Sequence, residues 1–400
     1  MNAPVMRANV LKAGVPAATL TRTRAGVEFR YLSEYRARGA VPVASTLPLT
    51  EAPLVTQAGA VPPFFAGLLP EGRRLGALRR SIKASADDEL SLLAAVGGDT
   101  VGDVQVFAEG SAQEATDPVL ELPADPSLVR FRDFLTDSGV VDPVAVSGVQ
   151  DKISGRMISV PAARAGERFI IKFNPPEYPH VVENEAFFLG LAKAARMRVV
   201  GARLIYDGNG MVGLAVKRFD RVARPDGSAV SLAVEDGAQA LNLWPADKYN
   251  TTFRDVSHAL MGLCGAPVIA AREIFRQLVF AILTGNGDLH AKNLSVMTQA
   301  DGEVVVTPAY DLPSTIFYGD STLALSIDGV HPGFSRRILL SLADDLGLAP
   351  KAAAKIIDDQ LAATAGLGER LLAGALPIAE QTTRTVVGQL RNRRRLLEGR

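Results

Sequence analysis

An apolar-rich run of helical length, Ala270 to Leu283, stops abruptly at Thr284-Gly285-Asn286-Gly287, and the segment after it restricts the possible folds more than any other feature. A buried helix that ends in a glycine-rich turn presents a polar loop on a rigid base. That loop carries Asp288, and Asn293 follows five positions later. A second acidic position, Asp311, lies 23 residues after Asp288 in Pro308-Ala309-Tyr310-Asp311-Leu312. Between them a hairpin is expected, from Leu294–Met297 through Asp301-Gly302 to Glu303–Thr307. More than 100 residues upstream, Arg168–Phe173 reads as a strand that ends at Pro175-Pro176. Alternation places Phe169, Ile171 and Phe173 on one face and Arg168, Ile170 and Lys172 on the other. A helix from Val181 to about Arg196 follows, with Glu183 and Glu185 in its first turn, where acidic side chains favour a helix.

Phosphoryl transfer needs this set of groups. One carboxylate accepts or orients the attacking hydroxyl, while an amide oxygen and a second carboxylate hold the magnesium that bridges the ATP phosphates. Asp-x4-Asn followed by Asp is the order of a protein-kinase catalytic loop and metal-binding aspartate. Lys172 fits the lysine that neutralises the phosphates, and Glu183 or Glu185 fits its acidic partner. Each member also has an ordinary structural explanation. Asp288 suits an Asx-turn, Asn293 a local cap, Asp311 a turn before Leu312-Pro313, Lys172 an edge strand, and the glutamates a first helical turn. The ordered set, with compatible structure around every member, favours the chemical reading.

Charge and cysteine content narrow the alternatives. The 400 residues contain 43 Lys+Arg and 43 Asp+Glu, so the chain lacks the basic excess of a protein that grips nucleic acid by itself. Cys264 is the sole cysteine, which excludes an internal disulfide and a cysteine-based zinc site. The four histidines are scattered. The first 25 residues have no unbroken apolar core, and runs such as Leu278–Leu283 fall far short of the ~20 residues that span a bilayer. A soluble cytoplasmic protein without membrane contact is expected. The expected units are a β-containing front subdomain at 1–107, a Pro-, Glu- and Ser-rich linker at 108–126, a small α/β lobe at 127–223, and a helical lobe at 224–400. The fold class is α+β: a two-lobed, protein-kinase-like fold with a mixed α/β N-terminal subdomain and an all-helical C-terminal lobe.

With these residues in place the chain resembles the HipA family, the serine/threonine-kinase toxins of type II toxin–antitoxin modules. In the front part the resemblance rests on Pro63-Phe64-Phe65-Ala66-Gly67-Leu68-Leu69-Pro70-Glu71-Gly72 and Leu92-Leu93-Ala94-Ala95-Val96-Gly97-Gly98-Asp99. Further on it rests on Ser147–Lys152, Val182-Glu183-Asn184-Glu185, Ala215–Arg221, Asn286–Asn293 and Ala309–Leu312. The resemblance implies Asp288 as catalytic base and Asn293 and Asp311 as magnesium ligands. Lys172 would bind ATP phosphates beneath a covering loop of Ser147, Gly148, Val149, Gln150, Asp151 and Lys152. Lys217, Arg218 and Phe219 would form the hinge against adenine, and His290, Lys292 and Tyr310 would border the nucleotide. It further implies a protein substrate, an aminoacyl-tRNA synthetase whose phosphorylation halts growth. The neutralising partner would be a HipB-like helix-turn-helix antitoxin, through which the chain would reach DNA.

One departure stands out. Kinases of this family commonly carry an autophosphorylated serine two positions before Ser147, where this chain has Ala145. Ser147 is the hydroxyl left in Ala145-Val146-Ser147-Gly148, so self-inactivation is expected to be weakened or moved to Ser147. Two other readings compete. A small-molecule phosphotransferase of the aminoglycoside or choline kinase type shares Gly-Asp-Leu-His-x-x-Asn but lacks the front motifs. An inactive scaffold for a DNA-binding antitoxin fits the neutral charge but not the retained catalytic set.

Overall fold

The computed structural model describes residues 3–85, 87–111, 120–137, 157–224, 229–327 and 334–399. Two five-stranded sheets lie within residues 7–217. The front sheet is built from β1 (Arg7–Lys12), β2 (Val15–Thr23), β3 (Gly26–Tyr31), β4 (Leu54–Thr56) and β5 (Val104–Ala108), in the order β4-β3-β2-β1-β5 and antiparallel throughout. Val10, Leu20, Val27 and Val106 point inward from it against Phe64, Phe65, Leu90 and Leu93 of the short helices Pro63–Ala66 and Glu89–Val96.

The second sheet contains β6 (Leu120–Glu121), β7 (Ile158–Arg164), β8 (Glu167–Phe173), β9 (Ala202–Tyr206) and β10 (Val212–Lys217), in the order β6-β7-β8-β10-β9. The expected alternation in β8 is present. Phe169, Ile171 and Phe173 are buried in one core, which leaves Lys172 on the opposite face. Part of the expected linker is structural: Leu120–Glu121 pairs parallel with β7, and Leu120 is wholly buried. Leu120 and Leu122 alternate about Glu121, but a two-residue strand just before Pro123 is too short for that period to mark it.

A two-stranded ribbon, β11 (Arg221–Ala223) with β12 (Ala229–Ser231), leads into the last lobe. The helices Phe253–Leu263, Pro267–Thr284, Arg336–Asp345, Pro350–Ala363 and Glu380–Glu398 dominate there. The lobe is not purely helical. β13 (Val234–Asp236), β14 (Ser295–Thr298) and β15 (Val304–Val306) form a small antiparallel sheet, and its β14–β15 hairpin is the one expected from sequence. The helix Pro267–Thr284 is buried along most of its length, so its end is a fixed platform. Cys264 is buried, and its thiol is pushed up to about 11 by burial with a contribution from Glu303, so it packs as an inert side chain.

Candidate active site

The platform ends as glycine chemistry requires. Gly285 takes the left-handed conformation, φ +70°, that closes a helix C-terminus, and Asn286 N donates back to Ala281 O at 2.9 Å. The Asn286 Oδ1 then accepts from Asp288 N at 2.8 Å, so the Asx-turn belongs to Asn286 and not to Asp288. Asp288 is almost wholly buried; Tyr249 OH donates to its Oδ1 at 3.0 Å. The Asp288 carbonyl accepts from His290 N at 2.8 Å and from Asn293 Nδ2 at 2.7 Å, which locks the whole Asp-x4-Asn loop. A Cβ on Gly287 would sit 2.4 Å from Thr322 O. Gly287→Ala is therefore expected to lower stability by ~1–3 kcal/mol, the usual range for overpacking, as a reduced midpoint in urea unfolding.

Lys172 reaches across from β8. Its Nζ donates to Glu185 Oε1 and Oε2 at 2.8 and 2.9 Å and to Asp311 Oδ1 at 2.8 Å. Burial alone would lower the Lys172 pKa; Asp311 and Glu185 more than reverse this, and the ammonium stays charged. Glu185, fully enclosed on the helix Val181–Ala194, is pushed up by burial against the pull of Lys172. Of the two glutamates expected to compete for this lysine, Glu185 takes it. Glu183 instead accepts from Asn174 Nδ2 at 2.8 Å and lies 2.9 Å from His180 Nδ1, at the mouth of the same helix.

Asp311 has φ +55°, a conformation that side chains seldom adopt and that is often held at functional sites. The bridge Val199↔Ala309 anchors the approach to it, and Asn184 anchors the exit. Asn184 Oδ1 accepts from Ser314 N at 2.7 Å, while Ser314 Oγ donates to Thr284 O at 2.6 Å. One buried amide thus ties the Glu185 helix, the Asp311 segment and the platform together.

These groups border a cleft of about 380 Å³. Lys172, Lys217, Arg218, Phe219, His290, Lys292, Asn293, Tyr310 and Asp311 line it, and Asp288 lies buried at the near end of the same loop. Ile170, Val200, Val216 and Val234 give it an apolar part, beside which Phe219 stacks on Tyr310 at 5.5 Å between centroids. Tyr310 OH donates to Lys292 O at 2.8 Å and lies 2.5 Å from Ser295 Oγ. His290 packs edge-on against Tyr249.

Three cations expected to face a nucleotide are engaged by the protein itself. Lys217 pairs with Glu167 at an exposed strand end. Arg218 donates to Asp220, Asp99 and Thr100 O. Lys292 donates to Asp236 Oδ2 at 2.9 Å and Gly67 O at 3.0 Å. Ala145 and the expected covering loop, Ser147 to Lys152, lie outside the described residues.

Because Nδ2 of Asn293 is engaged, its other terminal atom is an oxygen, in the same cleft as the Asp311 carboxylate. Among the described residues no three His, Cys, Asp or Glu side chains form a cation cage. One carboxylate and one amide oxygen suit a hard divalent cation that keeps waters and phosphate ligands. Sequence reasoning missed Tyr249, Asn184, Asn286 and Asp236. The Asn286-Gly287 turn signal could have indicated Asn286; Tyr249 and Asp236 sit in stretches with no motif.

Comparison with known proteins identifies the family of the chain. The HipA N-terminal domain model matches residues 8–107, and the HipA-like C-terminal domain model matches residues 144–366. Y4dM of Sinorhizobium fredii, named as a candidate kinase, is 33% identical over 290 residues, 66% of each chain; for its relative Y4mE, also so named, identity is 29% and the chain spans 65% of its length. The serine/threonine-protein kinase toxin HipA of Shewanella oneidensis is 29% identical over 323 residues, covering 74% of this chain and 72% of that protein. A solved structure from that organism, a complex of HipA, HipB and operator DNA, matches with a TM-score of 0.79 at 22% identity over 98% of this chain and 97% of that one. With one domain model covering the front sheet and the other covering more than half of the chain, including Lys172, Asp288, Asn293 and Asp311, the chain belongs to the HipA family.

Proposed function

We propose that the chain is an ATP- and magnesium-dependent serine/threonine protein kinase that acts as the toxin of a toxin–antitoxin module. The observation that carries this reading is Lys172, held between Glu185 and Asp311 in the cleft that Asn293 also lines. Lys172 would bind the phosphates of ATP, with Glu185 fixing its position. Asn293 and Asp311 would hold magnesium, which when bound neutralises charge on the phosphates. Asp288 would take the proton of a serine or threonine hydroxyl as that oxygen attacks the γ-phosphorus and ADP leaves. Val216, Phe219 and Tyr310 supply apolar surface for adenine beside the hinge at Lys217–Phe219, and His290 and Lys292 support the loop below.

The loop Ser147–Lys152 would cover the phosphates, with Ser147 as the autophosphorylation position in place of Ala145; phosphosite mapping after ATP incubation checks this, and a dominant site elsewhere counts against it. The partner would be a HipB-like helix-turn-helix antitoxin, because the related solved complex contains HipB and operator DNA and a neutral chain needs such an adaptor to reach DNA. An aminoacyl-tRNA synthetase is the proposed substrate, on the family resemblance. Among the described residues no helix is long and apolar enough to cross a membrane. Incubating the purified chain with γ-labelled ATP, magnesium and a cell lysate is expected to label a protein hydroxyl, and chelating the metal with EDTA is expected to abolish labelling. Transfer to amino alcohols with none to protein would overturn the reading in favour of a small-molecule kinase.

A further inference from the structure

The front part of the chain forms one wall of the cleft. Gly67, Leu68, Leu69, Pro70 and Glu71 line it, followed by Arg74 in the first turn of the helix Gly72–Ile82. This wall is fastened to the catalytic loop: Lys292 donates to Gly67 O, and Lys248, whose carbonyl accepts from Ala291 N at 3.2 Å, pairs with Glu71. A group carried here is therefore held in register with Asp288 and Asn293.

Arg74 differs from the other cations of the cleft. Lys172 is held by Glu185 and Asp311, Lys292 by Asp236, Lys217 by Glu167, and Arg218 by Asp220 and Asp99. Among the described residues the Arg74 guanidinium makes no hydrogen bond or ion pair. The carboxylate that favours its charged form is Asp99, which already accepts from Arg218 at 2.7 Å and Arg221 at 2.9 Å. Three guanidinia, those of Arg74, Arg218 and Arg221, therefore face two carboxylates, those of Asp99 and Asp220, and one positive charge is left over. Removing a guanidinium from water beside a second one is unfavourable unless an anion arrives. A planar fork of donors suits phosphate oxygens.

We propose that Arg74 is a nucleotide-binding residue that the front part of the chain contributes in cis, and that its ligand is a phosphate of ATP. The inference rests on the kinase reading and adds to it that the front wall belongs to the nucleotide site. Isothermal titration of the full chain with MgATP, MgADP and adenosine tests it. Arg74→Ala is expected to weaken MgATP and MgADP about tenfold, the loss of one charge-assisted contact. Adenosine binding should be unchanged, and Arg74→Lys should recover part of the loss. The thermal midpoint should hold or rise, since a like charge beside Arg218 is removed. Arg79→Ala, on the exposed face of the same helix, should bind as wild type.

Undiminished MgATP binding by Arg74→Ala would overturn the proposal. So would an equal loss for adenosine, which would assign the contact to the nucleoside, or a clear drop in thermal midpoint, which would assign Arg74 to the fold. A wild-type chain that binds no MgATP would fail the kinase reading itself and this inference with it. That result is separate from a wild type that binds and an Arg74→Ala variant that binds equally.

Discussion

Asp288→Asn is expected to reduce phosphate transfer by ~10²–10⁴-fold, the range for removal of a positioned general base, with MgATP affinity and thermal midpoint close to wild type. The geometry makes this substitution selective. Asparagine has nearly the same shape, and its amide oxygen still accepts from Tyr249 OH, as Asp288 Oδ1 does at 3.0 Å. The bonds that hold the loop use backbone atoms at this position: the N–H donating to Asn286, and the carbonyl accepting from Asn293 and His290. None of them depends on the carboxylate. What is lost is the basic oxygen that receives the hydroxyl proton. Single-turnover transfer from labelled ATP measures the effect, with circular dichroism melting as the fold control. A variant that transfers at the wild-type rate would remove Asp288 from the proposed role; an unfolded variant would show that its carboxylate is structural.

Sequence made the strand β8 and the platform legible, because β8 alternates cleanly and the helix Pro267–Thr284 is a long run rich in apolar residues that ends at a glycine turn. The Asp-x4-Asn spacing was legible because one short loop contains it. Resolving Glu183 from Glu185 was not possible from sequence, since both lie early in one helix. The choice is made by Asn174, which caps the helix through Val182 N and draws Glu183 to itself. The positions of Lys292 and Arg218 were also hidden, because the partners of Lys292 lie 56 and 225 residues away and Arg218, besides Asp220 two residues on, bonds to Thr100 and Asp99, 118 and 119 residues away. Side-chain bonds of that separation leave no local pattern. The short strand β6 was hidden for a related reason: its two residues are strand because β7 supplies an edge, not because of their own propensity.

The Arg218 cluster gives the other large expected effect, on stability rather than rate. Asp220→Ala is expected to destabilise the chain by ~3–5 kcal/mol, the cost of breaking a buried ion pair by removing one partner. Asp220 accepts from Arg218 Nε and Nη2 at 3.0 and 2.8 Å, from Arg221 Nη1 at 2.6 Å, and from Gly102 N at 2.9 Å. Alanine would leave two guanidinia and a backbone N–H without that acceptor, with Asp99 alone to balance the charge. The cluster joins the turn before β5 to the end of β10, so its loss should loosen the front sheet from the cleft. Burial pushes the Asp220 carboxyl up, but Arg218, Arg221 and Gly102 more than reverse this and hold it below the usual range. Its contribution is therefore complete above the ordinary aspartate pKa of ~3.9 and is lost as the pH falls through the lower folded value. Urea unfolding at pH 7 should show the full deficit, and the variant and wild-type curves should converge in strong acid. Adding Arg218→Met should recover part of the loss, because it removes a charge left without its partner. A deficit below ~1 kcal/mol at pH 7, the scale of an exposed pair, would mean that the cluster is solvated and that the front sheet is held by apolar packing alone.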